Sequence, residues 1–177
     1  MPTRPIRVLG IDPGFGRVGF GVVEYNQGKI QYVAHGLIET SPKKKFADRL
    51  VYIHDHIKKI VLQYKPELAG VEELFFSKNV TTAIQVAQAR GVILLTLAQE
   101  NLPLEECTPL QVKQALTGYG RAEKDQVQKM VSMILSLPKE KIQDDAADAL
   151  AIAITCAAQI PFQNKINRVG IDKTSKI

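Results

Sequence analysis

Residues 143–154 read QDDAADALAIAI, so three aspartates precede a segment that is otherwise alanine, leucine and isoleucine. The apolar part predicts a helix that is buried on most of its circumference, and its small alanines would let it approach a sheet closely. Acids at a helix start can cap free amide groups and interact favourably with the helix dipole. Caps do not explain Asp148, which would lie one turn inside the helix, where a carboxylate is normally paired with a cation or a metal.

The spacing of the three aspartates leaves two pairings open. Asp145 and Asp148 are three residues apart, and Asp144 and Asp148 are four apart. Both separations place two side chains on one face of a helix. Either pair is therefore a candidate for a shared site.

Strand patterns lie earlier in the chain. Residues 6–11, IRVLGI, are β-branched and apolar and end at Asp12-Pro13-Gly14, which predicts a strand followed by a turn. Residues 18–25 and 29–38 are two further strand patterns, and the residues between them, NQG, predict a hairpin. Residues 68–74, LAGVEEL, predict a buried strand containing two glutamates, and residues 102–107 predict a short fifth strand.

Helical patterns alternate with the later strands. Apolar residues recur at helical spacing over 46–64, which predicts a helix there. Two more helices are predicted over 80–99 and 122–137. Between them, a capping box at 108–111 predicts the start of a helix that ends near Gly118. Three meander strands followed by helix-separated strands predict an α/β fold, with a five-stranded mixed sheet and helices on both faces. We expect one domain over residues 1–162 and a basic, flexible tail over residues 163–177.

Composition narrows the class of protein. The chain has 177 residues, of which 45% are hydrophobic and 23% charged, so a soluble globular protein is expected. Neither a membrane-length apolar run nor the hydrophobic core of a signal peptide is present, which predicts a cytoplasmic protein and no membrane partner. The net charge of +5 favours a polyanionic partner. Cys107 and Cys156 have neither zinc nor disulfide spacing, so we expect buried, reduced thiols.

Acids on separate elements are expected to meet at one edge of the sheet. Asp12 ends the first strand, and Glu72 and Glu73 lie in the fourth. If these strands are neighbours, Asp12 and one of the two glutamates point from the same face, and the final helix can place its aspartates over them. Clustered carboxylates repel one another unless cations occupy the cluster, and oxygen ligands favour Mg²⁺ or Mn²⁺. The chemistry predicted is metal-assisted attack of water on a phosphodiester, with two ions in each site.

Five segments in order resemble one known family. They are LGIDPGFGRVGFGVVE, VEELFFSKN, QARG, QVKQALTGYGRAEKDQVQKMV and DAADALAIAI, and the resemblance extends from Val8 to about Ala158. The chain resembles the RuvC crossover junction endodeoxyribonucleases, which resolve Holliday junctions. The resemblance implies a ribonuclease-H-like fold, a homodimer, Mg²⁺ dependence with Mn²⁺ as a substitute, and paired cuts in four-way junction DNA. It also implies cooperation with the RuvA and RuvB branch-migration proteins.

The same resemblance implies roles for individual residues. The family's catalytic, metal-binding carboxylates fall on Asp12, Glu72, Asp145 and Asp148, which selects Glu72 over Glu73 and Asp145 over Asp144. Its DNA contacts fall on four other residues: Phe75, Lys78, Lys113 and Lys124. Phe76 competes with Phe75 for the role of a base-stacking aromatic.

Two other functions fit parts of the sequence. Actin-like and sugar-kinase-like ATPases hold phosphate with an aspartate-glycine turn, and Asp12-Pro13-Gly14 fits that turn loosely. Such enzymes normally need two copies of the fold, and a chain of 177 residues without an internal repeat is too short for two. A non-catalytic DNA-binding scaffold is the other alternative, but the presence of all four matching acids counts against it.

Overall fold

Ten helices and strands make up the described part of the protein. The structure, a computed structural model, describes residues 4–74, 80–137 and 142–170, apart from the side chains of residues 80, 81 and 162–170. The elements, in chain order, are β1 (Ile6–Asp12), β2 (Arg17–Asn26), β3 (Lys29–Glu39), α1 (Phe46–Tyr64), β4 (Leu68–Glu72), α2 (Val80–Gln99), β5 (Leu104–Cys107), α3 (Pro109–Thr117), α4 (Lys124–Ile134) and α5 (Asp144–Gly170).

The strands form one mixed sheet in the order β3-β2-β1-β4-β5. β1, β2 and β3 are antiparallel, and the hairpin between β2 and β3 turns at Gln27 and Gly28, which both have positive φ. β4 pairs in parallel with β1 on one side and with β5 on the other. This arrangement confirms the predicted mixed sheet and makes the strands that carry Asp12 and Glu72 neighbours.

Helices cover both faces of the sheet. On one face, Leu9 and Ile11 of β1 pack in a cluster that includes Ile53 of α1 and Ile93 of α2. On the other face, Val8 packs in a second cluster with residues of α3, α4 and α5. Alternate residues of a strand point to opposite faces, so β1 contributes to both cores. Burying both faces explains why residues 8–11 of this strand are all apolar.

Several strands and helices begin or end a few residues away from their predicted bounds. β4 ends at Glu72 rather than at residue 74, and α4 is two residues shorter at its start than predicted. The helix that begins in QDDAADALAIAI continues through Pro161 to Gly170, into the range predicted as a tail. Polar composition suits an exposed helix as well as a coil, which is why the pattern did not distinguish them. The flexibility of the tail stays a prediction.

The described residues contain neither a membrane-spanning helix nor a disulfide. Among the described residues, none of the helices combines the length and apolar character that a bilayer crossing requires. Cys107 and Cys156 are buried and free, as predicted, with their Sγ atoms 3.5 Å apart.

Candidate active site

Asp12 and Glu72 lie side by side because β1 and β4 run in parallel. Ile11 of β1 is paired with Val71 of β4, so the next residue of each strand reaches the same edge of the sheet. Alternation along each strand points both carboxylates to the face that α5 covers. Glu73, one residue further on, lies beyond the end of β4.

Glycines allow α5 to lie directly on this part of the sheet. A Cβ atom on Gly10 would overlap the carbonyl oxygen of Ala149, and one on Gly19 would overlap the carbonyl oxygen of Asp145. Gly19 is also the cross-strand partner of Asp12. The first turns of α5, with Asp145 and Asp148, are thereby held against the ends of β1 and β2.

The carboxylates interact strongly where they meet. Burial, followed by the charges of Glu72, Asp148 and Asp145, raises the pKa of Asp12 to about 8. Burial and the charge of Asp148 also raise the pKa of Glu72 above its ordinary value. Groups shift one another in this way only when they are close, so β1, β4 and α5 contribute to one acidic cluster.

Lys124, the first residue of α4, is bound into this cluster. Its Nζ atom lies 3.0 Å from Asp148 Oδ2 and 3.5 Å from Asp144 Oδ2. Burial alone would lower the pKa of Lys124, but the hydrogen bond and charge of Asp148 outweigh burial and raise it. The pKa of Asp148 is raised despite this pairing, because burial outweighs the attraction of Lys124. Gln128 donates a further hydrogen bond of 3.1 Å to Asp144 Oδ1.

A second cation, which the sequence analysis missed, pairs with the remaining acid. The Nε atom of Arg17 lies 3.1 Å from Asp145 Oδ2. Arg17 begins β2, two residues before Gly19, so alternation places its side chain on the α5 face. In the sequence, the only sign of this contact is that Arg17 lies two residues before Gly19. This spacing becomes informative only when the strand register that places Gly19 opposite Asp12 is known.

The cluster suits divalent cations in its chemistry, although its α5 acids are paired with protein cations in this structure. Within residues 4–74, 80–137 and 142–170, no three histidine, cysteine or acidic side chains stand in an arrangement that could hold a metal ion. Lys124 and Arg17 instead neutralise Asp148 and Asp145. All the candidate metal-ligating atoms are carboxylate oxygens, which suit Mg²⁺ and Mn²⁺. The side chains of Lys124 and Arg17 already place positive charge where these carboxylates meet.

Arginines support the backbone on either side of the cluster. Arg90, in the QARG motif of α2, donates from Nε to the carbonyl oxygen of Glu72 over 3.0 Å and pairs with Glu106. Arg49 lies 3.7 Å from the centre of the Phe15 ring and donates from Nε to Thr40 Oγ1 over 2.9 Å. Thr40 Oγ1 donates to the carbonyl oxygen of Phe15 over 2.6 Å. The loop after Asp12 is therefore fastened to α1 and β3.

The predicted DNA contacts are only partly within the described residues. Lys113 of α3 lies near enough to Glu72 for its charge to oppose the rise in the pKa of that acid. Lys124 lies in the acidic cluster itself. Phe75 and Lys78 fall outside the described residues, as does Phe76. All these residues keep their DNA-contact roles as predictions.

Comparison with known proteins identifies the family. The family model described as crossover junction endodeoxyribonuclease RuvC matches residues 8–156. The chain is 51% identical over 146 residues to the protein of that name from Petrotoga mobilis, covering 82% of this chain and 90% of the relative. It is 49% identical over 160 residues to the protein of that name from Roseiflexus sp., covering 90% and 95%.

Solved structures agree with the sequence relatives. Thermus thermophilus RuvC in complex with Holliday junction substrate matches with a TM-score of 0.84 and 35% identity, over 89% of this chain and 96% of that one. The yeast mitochondrial Holliday junction resolvase Ydc2 shares the fold, with a TM-score of 0.64 at 14% identity. These matches confirm the predicted ribonuclease-H-like class of five-stranded α/β fold. By sequence and by structure, the chain belongs to the RuvC family of crossover junction endodeoxyribonucleases.

Proposed function

We propose that this protein resolves Holliday junctions by metal-dependent hydrolysis of phosphodiesters in DNA recombination and repair, and that Asp12, Glu72, Asp145 and Asp148 bind the metal ions. The observation that carries the proposal is the acidic cluster, in which burial, followed by the charges of carboxylates on β4 and α5, raises the pKa of Asp12 to about 8. Such a cluster is costly for a fold, and divalent ions would relieve its repulsion. The relatives, which are named as crossover junction endonucleases, support DNA as the substrate.

Each side chain has a separate task in the proposed reaction. The four carboxylates hold two Mg²⁺ ions, for which Mn²⁺ can substitute. When bound, the ions supply activation of water and neutralisation of the charge on the leaving oxygen. Lys113, whose charge acts on Glu72, would neutralise charge beside the phosphate that is cut. Lys124 contacts the DNA backbone, and the products carry a 5′-phosphate and a 3′-hydroxyl.

We also propose that the active form is a cytoplasmic homodimer that works with RuvA and RuvB. A four-way junction has twofold symmetry, and two symmetric sites would cut its opposed strands in pairs. Exposed apolar side chains on α1 and α2, namely Val51, Leu62, Ile84 and Leu95, support association between copies.

Cleavage of a synthetic four-way junction tests the proposal. We expect wild type to make symmetric nicks that require Mg²⁺, and Asp145→Asn to bind the junction without cutting it. Asp55→Asn is the matched control, because it removes the same charge from an exposed position on α1. Nucleotide hydrolysis without junction cutting would support the ATPase alternative. Tight binding without cutting, in any divalent metal, would support the scaffold.

A further inference from the structure

Arg17 is paired with an acid of the cluster, and the family resemblance assigns it no role. Its guanidinium pairs with Asp145 at 3.1 Å, and its side chain is 58% exposed while that of Asp145 is 28% exposed. Glu39 lies opposite Arg17 in the β2–β3 ladder, yet the ion pair that Arg17 makes is with Asp145, on α5. The guanidinium therefore lies at the rim of the cluster, between a half-buried acid and solvent.

We infer that Arg17 is a further active-site residue that neutralises Asp145 in the metal-free protein and is exchanged for a divalent cation, after which its guanidinium contacts a phosphate of the DNA. This inference rests on the proposed function, since it takes Asp145 to be a metal ligand.

Exchange follows from competition for one carboxylate oxygen. Arg17 forms its ion pair with Asp145 Oδ2, so a cation that takes this oxygen has to displace the guanidinium. An exposed ion pair is weak in water, whereas a divalent ion shared by several carboxylates is bound more strongly. Displacing the guanidinium costs the protein little free energy, because more than half of the Arg17 side chain is already exposed to solvent.

Contact with phosphate follows from the position and shape of the released group. Arg17 begins β2, just beyond the loop that follows Asp12, so its guanidinium stays beside the cluster when it leaves Asp145. Its planar fork matches two phosphate oxygens. The same side chain therefore orients Asp145 before the ion binds and contacts the substrate afterwards.

Metal affinity without DNA tests the exchange. We expect Arg17→Gln to bind Mn²⁺ about two- to tenfold more tightly than wild type in a calorimetric titration, because a competing cation has been removed. Arg4→Gln is the matched control, since Arg4 also forms an exposed ion pair, with Glu67, but at the opposite end of β1. Its Mn²⁺ affinity should equal that of wild type. An unchanged or weaker affinity in Arg17→Gln would overturn the exchange.

Junction affinity at several salt concentrations tests the phosphate contact. In EDTA, Arg17 is held by Asp145, so wild type and Arg17→Gln should show the same slope of log affinity against log salt. In Ca²⁺, with gels confirming that the junction stays uncut, the slope for Arg17→Gln should be shallower by about one. Arg17→Lys, which keeps the charge, should restore the slope. Equal slopes in Ca²⁺ for wild type and Arg17→Gln would overturn the contact.

The experiments distinguish failure of the proposed function from failure of the role of Arg17 alone. A wild-type protein that neither binds Mn²⁺ nor cuts junctions overturns the proposed function and the role of Arg17 together. A wild type that binds and cuts, beside an Arg17→Gln variant that behaves like it in both titrations, overturns only the role of Arg17.

Discussion

At the scale of single residues, the acids of the cluster differ in burial and in partners. Asp12 lies where its strand meets α5 and has its pKa raised to about 8. Asp144 lies at the exposed start of α5, where Lys124 and Gln128 contact it. Helical spacing alone left Asp144 and Asp145 as equal candidates, and the family resemblance selected Asp145. In the structure, the side chain of Asp145 is less exposed than that of Asp144.

The raised pKa of Asp12 predicts that the metal-free protein loses stability as pH rises. The folded protein holds the Asp12 proton more tightly than the unfolded chain does, so its free energy of unfolding falls between about pH 4 and pH 8. Asp12→Asn carries no charge at this position. In EDTA at pH 8, its melting temperature should exceed that of wild type by roughly 5 °C, and the difference should disappear near pH 4. A melting temperature of the variant at or below wild type at pH 8 would contradict this prediction.

Burial also predicts which of the first aspartates of α5 matter for cleavage. Asp148→Asn should reduce the rate of junction cutting by at least about a thousandfold, because it removes a proposed metal ligand. Asp144→Asn should change the rate by less than about fivefold, since Asp144 lies at the exposed rim. Single-turnover cleavage rates measure both effects. Equal losses in the two variants would show that the assignment of ligands within DDAAD is wrong.

At the scale of elements, α5 and the glycines under it determine where the acids meet. The sequence predicted that alanines allow close approach, and the structure shows where: Gly10 and Gly19 face the α5 backbone directly. The presence and order of the strands and helices could also be predicted, because the spacing of apolar residues reflects which face of each element is buried. The pairing of β1 with β4 was expected as well. Arg17 and Lys124 as partners of the acids could not be predicted, since ion pairs between distant segments depend on register and helix orientation.

The close contact predicts a large effect from one methyl group. In Gly10→Ala the new methyl would overlap the Ala149 carbonyl oxygen, so α5 has to shift. We expect a loss of about 2 kcal/mol or more in the free energy of unfolding, measured by urea denaturation. Gly16→Ala is the control, because a methyl there has no atom within 4 Å. Its stability should stay within about 0.5 kcal/mol of wild type. A Gly10→Ala variant as stable as its control would contradict the packing.

At the scale of the whole molecule, the fold and the proposed metal site are energetically linked. The same elements that form the two cores bring like charges together, so part of the stability of the domain is used to hold repelling groups in place. Of the residues that make up the net charge of +5, Lys124, Arg17 and Lys113 relieve this repulsion locally. A ligand that binds only the folded cluster should therefore stabilise the entire domain.

This linkage predicts that Mg²⁺ raises the melting temperature. At pH 8 and at a Mg²⁺ concentration about 100 times its dissociation constant, wild type should gain roughly 5–10 °C. The gain should be smaller at pH 5, where Asp12 is protonated, and should be lost in the Asp12→Asn variant. Differential scanning calorimetry with and without EDTA measures the shift. An equal gain in the variant would place ion binding elsewhere.

The contact between α5 and the glycines of β1 and β2 also bears on how the enzyme is inactivated by heat. Because backbone meets backbone there, the first turns of α5 cannot loosen independently of the sheet. Cutting ability and tertiary structure should then vanish in a single thermal transition, without a preceding temperature range in which a folded protein is inactive. Variants selected for higher heat tolerance would accordingly retain function at the same elevated temperatures.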